Sequence, residues 1–209
     1  MSLSVGYAQS LITPSLSRPV YMAGFDRGRL AQSIHDDLFA RALALSWVNP
    51  SGFSQQLVLV SLDLIGLGRS ICLDLARELT DSSLIIASTH THHGPDTIGL
   101  WGPDLSASGC DPAYLEQLQA AILAAARQAL DSLQPAIVRA VSVHVPGLVK
   151  NARDPHILDD ELSLIQFLRP AESPPAARCA PLATLAVFPC HPETLSRENP
   201  HITADYPHA

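Results

Sequence analysis

The chain has 209 residues, 47% of them apolar and 16% charged, with 13 lysines and arginines against 20 acidic residues and a formal net charge of -7. That length supports one hydrophobic core hiding roughly 70% of the extended-chain surface. The acidic balance and the scattered cations exclude a phosphate-tracking face, and with it nucleic acid as a partner.

Residues 3–13 read as a first strand, with Val5 and Tyr7 among apolar positions in partial alternation. Residues 14–28 form a loop rich in Pro, Ser, Gly and Arg, whose aromatic pair Tyr21 and Phe25 either caps a pocket or covers the edge of the core. Residues 34–48 carry two patterns at once. Leu38, Phe39, Ala42, Leu43 and Leu45 suit a helix face, while Leu38, Ala40, Ala42 and Ala44 alternate as a strand does. The turn-forming Asn49-Pro50-Ser51-Gly52 and the short apolar run after it favour strand, turn, strand. A helix is expected over 69–79, with Ile71, Leu75 and Leu79 on one face. A short buried strand at 84–87 then completes a strand–helix–strand unit.

After a glycine-rich loop containing Trp101 comes the clearest helix, 112–130. Asp111 is its N-cap and Pro112 its first helical residue, and Leu115, Leu118, Ile122, Ala125 and Ala129 make one apolar stripe. Strands follow at 137–145, 162–168 and 182–188, the last two joined by a Pro/Ala connector at 170–181. Residues 189–209 read as an irregular tail with no further strand or helix. Compact domains seldom close on such a tail. The fold expected is therefore α/β, a layered sheet with flanking helices. Residues 1–209 would be a single domain or a fragment of one, the incomplete front part of a larger catalytic domain.

Cys72, Cys110, Cys179 and Cys190 fit neither a CxxC pair nor a disulfide scaffold, and are expected as reduced, partly buried thiols. The first residues lack the charged and apolar regions of a signal peptide, which gives a cytoplasmic expectation. No apolar run reaches the roughly 18 residues of a transmembrane segment. The sequence leaves the oligomeric state open.

The chemistry-bearing segment is Ser88-Thr89-His90-Thr91-His92-His93-Gly94-Pro95-Asp96, directly after an expected strand. If the extended backbone continues, His90 and His92 share a face because the strand period is two. Neutral imidazoles so placed can approach one zinc ion at about 2.0–2.1 Å. His93 then faces the other way. The competing reading is three solvent-exposed or backbone-bonded histidines in a loop. Gly94 stands where an HxHxDH signature needs aspartate, and HExxH is absent.

His191, after the strand at 182–188, supplies a third ligand if that strand lies beside the one preceding His90. Its neighbour Cys190 is expected as a buried thiol, since adjacent residues rarely aim at one ion. Asp63 interrupts an apolar run and needs a partner, either the ring N–H of a metal-bound histidine or loop amides. His35, Asp36 and Asp37 suit a cap or support for a metal. Arg153, in a loop with Asn151 and Asp154, either holds an anionic group or polarises a carbonyl, or is simply solvated. His144 is a sheet residue, and His156, His201 and His208 have no distinguishing spacing. Asp205-Tyr206 approaches the site only if the tail folds back.

Several segments are close to one known pattern: Val5-Gly6-Tyr7, Ile12-Thr13-Pro14, Met22-Ala23-Gly24-Phe25, Asp37-Leu38-Phe39-Ala40-Arg41-Ala42, Val60-Ser61-Leu62-Asp63, Asn151-Ala152-Arg153 and Ala204-Asp205-Tyr206-Pro207. The most specific is Thr89-His90-Thr91-His92-His93-Gly94-Pro95. The chain resembles the N-terminal catalytic region of the neutral/alkaline, non-lysosomal ceramidase family. That resemblance implies a zinc amidohydrolase acting on a lipid-like N-acyl amide substrate, cleaved to a fatty acid and an amine. It implies that His90 and His191 bind Zn2+, that His92 sits beside the metal and the attacked amide, and that Arg153 contacts substrate. It also implies glutamate and tyrosine ligands and a serine further along than residue 209, for which Glu193 and Tyr206 are not obvious replacements. The alternative expectation is a catalytically incomplete or degenerate ceramidase-like scaffold that keeps a metal site.

Overall fold

Small residues on one face of a sheet and large ones on the other decide how the layers of this chain stack. The computed structural model describes residues 3–170 and 180–208. Strand β1 (Leu3–Leu11) is followed by the short β2 (Ser33–Ile34), then β3 (Phe39–Val48), β4 (Ser54–Leu62), helix α1 (Arg69–Arg77), β5 (Ser83–Ser88), helix α2 (Pro112–Asp131) and β6 (Gln134–Pro135). A five-stranded sheet runs β5-β4-β3-β1-β6. Strands β4 and β5 are parallel, joined through α1, and the other pairs are antiparallel. A second, antiparallel sheet holds β7 (Ile137–His144), β8 (Glu161–Leu168) and β9 (Pro181–Val187) in that order. A two-residue strand β10 (His201–Ile202) pairs in parallel with β2.

The ambiguous stretch before the Asn49–Gly52 turn is strand β3, with Ala42 opposite both Ala8 and Val60. Ala40, Ala42 and Ala44 are fully buried in one cluster with the α2 stripe, Leu118, Ile122, Ala125, Ala126 and Ala129. The alternate positions Leu43 and Leu45 join Val5 and Phe167 in a smaller cluster that seals the second sheet onto the opposite face. Close approach of α2 requires Gly6: a β-carbon there would lie 1.9 Å from the Ala129 carbonyl oxygen. Each fully buried Leu or Ile in this layer is worth roughly 1.5–3 kcal/mol. The N-terminus of α2 is capped as its sequence implies, Asp111 accepting from the Ala113 N–H at 3.0 Å.

Three expectations change. Strand β5 is not buried but half-exposed at the sheet edge, with Ile85 52% exposed. Apolar content there reflects pairing with β4, not cover on both faces. Helix α1 stops at Arg77, two residues short. The tail is not irregular throughout: it contains β10 and a 3-10 turn at Tyr206–His208, and buries Ile202 and Ala204 completely. A two-residue strand is too short to leave a periodic signal.

Cys72, Cys110 and Cys190 are free, half-buried thiols; Cys179 and most of the 170–181 connector lie outside the described residues. No helix among the described residues is long and apolar enough to cross a membrane.

Candidate metal centre

Because β4 and β5 run parallel, their carboxyl ends open on the same side of the sheet, and the residues just beyond them build the site. The Thr89 N–H donates to the Leu62 carbonyl at 2.9 Å and the His90 N–H to that of Leu64 at 3.0 Å. The His90 ring donates from Nδ1 to the Ile65 carbonyl at 2.6 Å, which leaves Nε2 free. Strand β5 has already ended at Ser88, and His90 sits at φ 70, in the left-handed region. The extended continuation expected from the HxH spacing therefore does not occur. His90 and His92 converge through a turn, and the strain of that turn, about 1–3 kcal/mol, is held by the three bonds to Leu62 at the end of β4 and to Leu64 and Ile65 just beyond it.

His92 lies under the loop after β1. Gly24, at φ 81, leaves room for it: a β-carbon on Gly24 would be 2.4 Å from His92 Cγ. The Phe25 ring meets the imidazole edge-on with centroids 5.0 Å apart, so Phe25 walls the site rather than merely covering the core. The His92 side chain is 12% exposed, and its Nδ1 is 2.8 Å from Glu193 Oε1. That contact has the distance of an ion pair without the alignment of a hydrogen bond, and both ring nitrogens are buried without a hydrogen-bond partner. Burial pushes the His92 pKa down to about 4; Glu193 opposes the shift, while His191, His90 and His93 add to it. The ring is neutral at pH 7.

The strand before His191 does not lie beside β5, as the sequence reading required: His191 comes from the other sheet, in the segment leaving β9, and still reaches the other two rings. Its ring centroid lies 4.8 Å from that of His90 and 4.7 Å from that of His92, and His90 and His92 are 5.2 Å apart. Each of the three imidazoles brings one nitrogen within 4.8 Å of the others. Nitrogens sharing one tetrahedral zinc at about 2.0–2.1 Å lie about 3.3–3.4 Å apart, so the three rings are grouped for ligation and must draw together to share an ion. An unpartnered buried imidazole amid two neighbours fits a metal.

Other singled-out residues have structural partners. His93 is fully buried and neutral: Nε2 donates to the Leu195 carbonyl at 3.3 Å, while Nδ1 accepts from Arg29 at 3.3 Å and Asn199 at 3.1 Å. Asp63 does not orient a histidine. Its Oδ2 accepts from the Phe39 N–H at 2.9 Å and from Arg41 at 2.6 Å, while Oδ1 is buried without a partner. Burial raises its pKa and Arg41 opposes the rise.

Asp36 caps the tail segment through Thr203 Oγ1 and the Ala204 N–H, and Asp37 accepts from Thr13 Oγ1 at 2.9 Å. Cys190 is half-buried and stands outside the imidazole group. His144 is an exposed sheet residue paired with Asp160 at 2.7 Å, and His201 bonds Ser33. Arg153 is exposed in the β7–β8 loop, its backbone N–H bonded to Asn151 Oδ1 at 3.0 Å; no contact among the described residues joins its guanidinium to the imidazoles.

The tail does fold back. Asp205 accepts from the N–H groups of Thr194 and Leu195 and from Thr194 Oγ1, and the Tyr206 hydroxyl donates to the Cys190 carbonyl. Two residues with no signal in the local pattern prove central. Arg29 donates to the carbonyls of Gly24, His92, Asn199 and Arg197, tying the first loop and the tail to the histidine turn. Glu193 lies between His92 and His191.

No family model matches the chain, and no curated protein does. Among solved structures it is similar to a ceramidase complexed with C2, at a TM-score of 0.79 and 22% identity over 98% of this chain. It is similar also to the neutral ceramidase from Pseudomonas aeruginosa, at a TM-score of 0.80 and 20% identity over 98% of this chain. The chain spans 34% of the length of each. It therefore has the fold of about a third of those ceramidases, carrying a histidine cluster able to hold a metal ion.

Proposed function

We propose that this chain is a ceramidase-like scaffold that binds zinc through His90, His92 and His191. The observation that carries the reading is the convergence of three imidazoles from two sheets, one of them buried with both nitrogens unpartnered. Three imidazole nitrogen donors suit zinc, whereas magnesium and calcium take oxygen. His90 commits Nδ1 to the Ile65 carbonyl and offers Nε2. His92, with its pKa near 4, has no proton to displace at pH 7.

A finer reading adds catalysis, the hydrolysis of a lipid-like N-acyl amide to a fatty acid and an amine. It draws on the fold shared with two ceramidases and on an apolar rim. Ile98 and Leu100 are 44% and 50% exposed on a loop anchored by Thr97 Oγ1 to the Gly66 carbonyl, beside the Ile65 that holds His90. Zinc, when bound, supplies Lewis acidity and activates water for attack. In this reading His90 and His191 remain the metal-holding pair. His92 would stand beside the substrate carbonyl and, as a donor, steady the charge that develops on its oxygen. Arg153 contacts the polar end of the substrate.

The test is zinc content after dialysis of the chain and of His90→Ala and His191→Ala. One equivalent in the wild type and loss in both variants supports the reading; equal zinc in all three contradicts it. Release of fatty acid from an N-acyl amide by the zinc-loaded chain supports the catalytic reading. Zinc binding without release leaves the scaffold alone.

A further inference from the structure

The geometry points to Glu193 as the positioning residue of the metal centre, one carboxylate that orients two imidazoles from different sheets. The inference rests on the metal-binding reading above. Glu193 Oε1 lies 2.8 Å from Nδ1 of His92, and Oε2 lies 3.3 Å from Nδ1 of His191. Among the described residues no lysine or arginine pairs with this carboxylate, so its charge is directed to the two rings.

Glu193 is not one of the three residues whose ligand atoms converge; it stands behind them, on the Nδ1 side of two. The His90 Nδ1 is committed to the Ile65 carbonyl, and the Nδ1 atoms of His92 and His191 stand at ion-pair distance from the Glu193 carboxylate, without hydrogen-bond alignment at His92. Histidines that bind metal commonly give their other ring N–H to a carboxylate or a carbonyl, which fixes the tautomer and raises ring basicity. Here a single side chain serves His92, after β5, and His191, after β9, and so links the ends of the two sheets.

The backbone around Glu193 is prepared for this. Pro192 is buried and fixes its own φ. The Glu193 N–H donates to the His191 carbonyl at 2.9 Å, closing a tight turn that sets its side chain beside the ring two residues earlier. On the other side, the Asp205 carboxylate holds the amides of Thr194 and Leu195 at 3.1 and 3.2 Å. Both flanks of Glu193 are thus anchored while its side chain remains 39% exposed, and its replacement leaves the core untouched.

The experiment is zinc affinity by chelator competition for the chain, Glu193→Gln, Glu193→Ala and His191→Ala, with nitrogen-15 imidazole spectra of the zinc-free forms. Expected is a 10–100-fold weakening in both Glu193 variants, with one equivalent still bound at saturation. Expected also is a shift away from the Nδ1–H tautomer at one of the two rings in Glu193→Gln, whose amide keeps a single accepting oxygen, and at both in Glu193→Ala, changes that a merely structural role would not produce. Unchanged affinity and unchanged tautomers in Glu193→Gln, with zinc lost in His191→Ala, overturn the role of Glu193 while sparing the metal site. Zinc binding equal to wild type in His191→Ala overturns both.

Discussion

Gly24 and His92 occupy space that admits no methyl group between them: a β-carbon on Gly24 would lie 2.4 Å from Cγ and 2.6 Å from Cβ and Nδ1 of the imidazole. Gly24 is also held at φ 81, where a side chain is strained by about 1–2 kcal/mol. Gly24→Ala must therefore displace the His92 ring. Its thermal midpoint should fall, and its zinc affinity should drop on the order of tenfold or more, the scale seen when metal ligands lose their orientation. Both are read by melting curves and chelator competition. A variant that binds zinc as tightly as wild type would show that His92 has no fixed place in the site.

Gly6 poses the same steric question away from the histidines. Gly6→Ala drives a methyl group into the Ala129 carbonyl of α2, at 1.9 Å if nothing moves. Overpacking of this kind costs about 1–3 kcal/mol. The variant should unfold at lower denaturant, with zinc stoichiometry unchanged in the folded protein. Full stability would mean that α2 does not rest on the β1 backbone.

Arg29 acts through the planar fork of its guanidinium. Nη1 donates to the Gly24 and His92 carbonyls at 3.2 and 3.0 Å, and Nη2 to the Asn199 carbonyl at 3.1 Å. A lysine keeps the charge but cannot reach these acceptors together. Arg29→Lys should lose about 2–3 kcal/mol of stability and weaken zinc binding by loosening the turn around His92. Equal stability in urea titrations would contradict the assigned role.

Asp36 gives a dependence on pH. Burial works against its charge, but Thr203 Oγ1, the Ala204 N–H, His35 and His208 outweigh burial and hold its pKa below the usual carboxylate value. A carboxylate depressed in the folded state contributes fully above its unfolded pKa, about 3.9. The contribution is lost as pH falls through the lower folded value. Asp36→Asn should therefore be about 1–2 kcal/mol less stable than wild type near neutrality, and the gap should narrow below about pH 4. Urea midpoints across that range measure it, and a gap independent of pH would contradict the assignment.

The layered scaffold was legible where a pattern is local. The alternation of Leu38, Ala40, Ala42 and Ala44 marks a strand because every second side chain meets the same helix, and Asp111-Pro112 marks a helix start by its own hydrogen bonding. His90, His92 and His191 stood out by type and by their place after strands. The reason offered for the first two meeting, a continued strand, fails at His90, where the backbone turns left-handed. His93 showed that an imidazole beside the cluster is a packing element once Arg29 and Asn199 reach it. Arg29 was invisible, and Glu193 was weighed only as a replacement for a distant ligand, because the contacts of both with the His92 segment are set by tertiary structure. Arg29 bonds the Asn199 carbonyl, 170 residues away, and no local spacing encodes such a contact.

X-ray absorption spectroscopy of the zinc-loaded chain tests the convergence of the three imidazoles most directly. The account predicts a first shell of nitrogen and oxygen at about 2.0–2.1 Å, with the outer-shell scattering of three imidazole rings and the loss of one ring each in His90→Ala, His92→Ala and His191→Ala. A sulfur shell at about 2.3 Å, or a spectrum that none of the three variants changes, would contradict it.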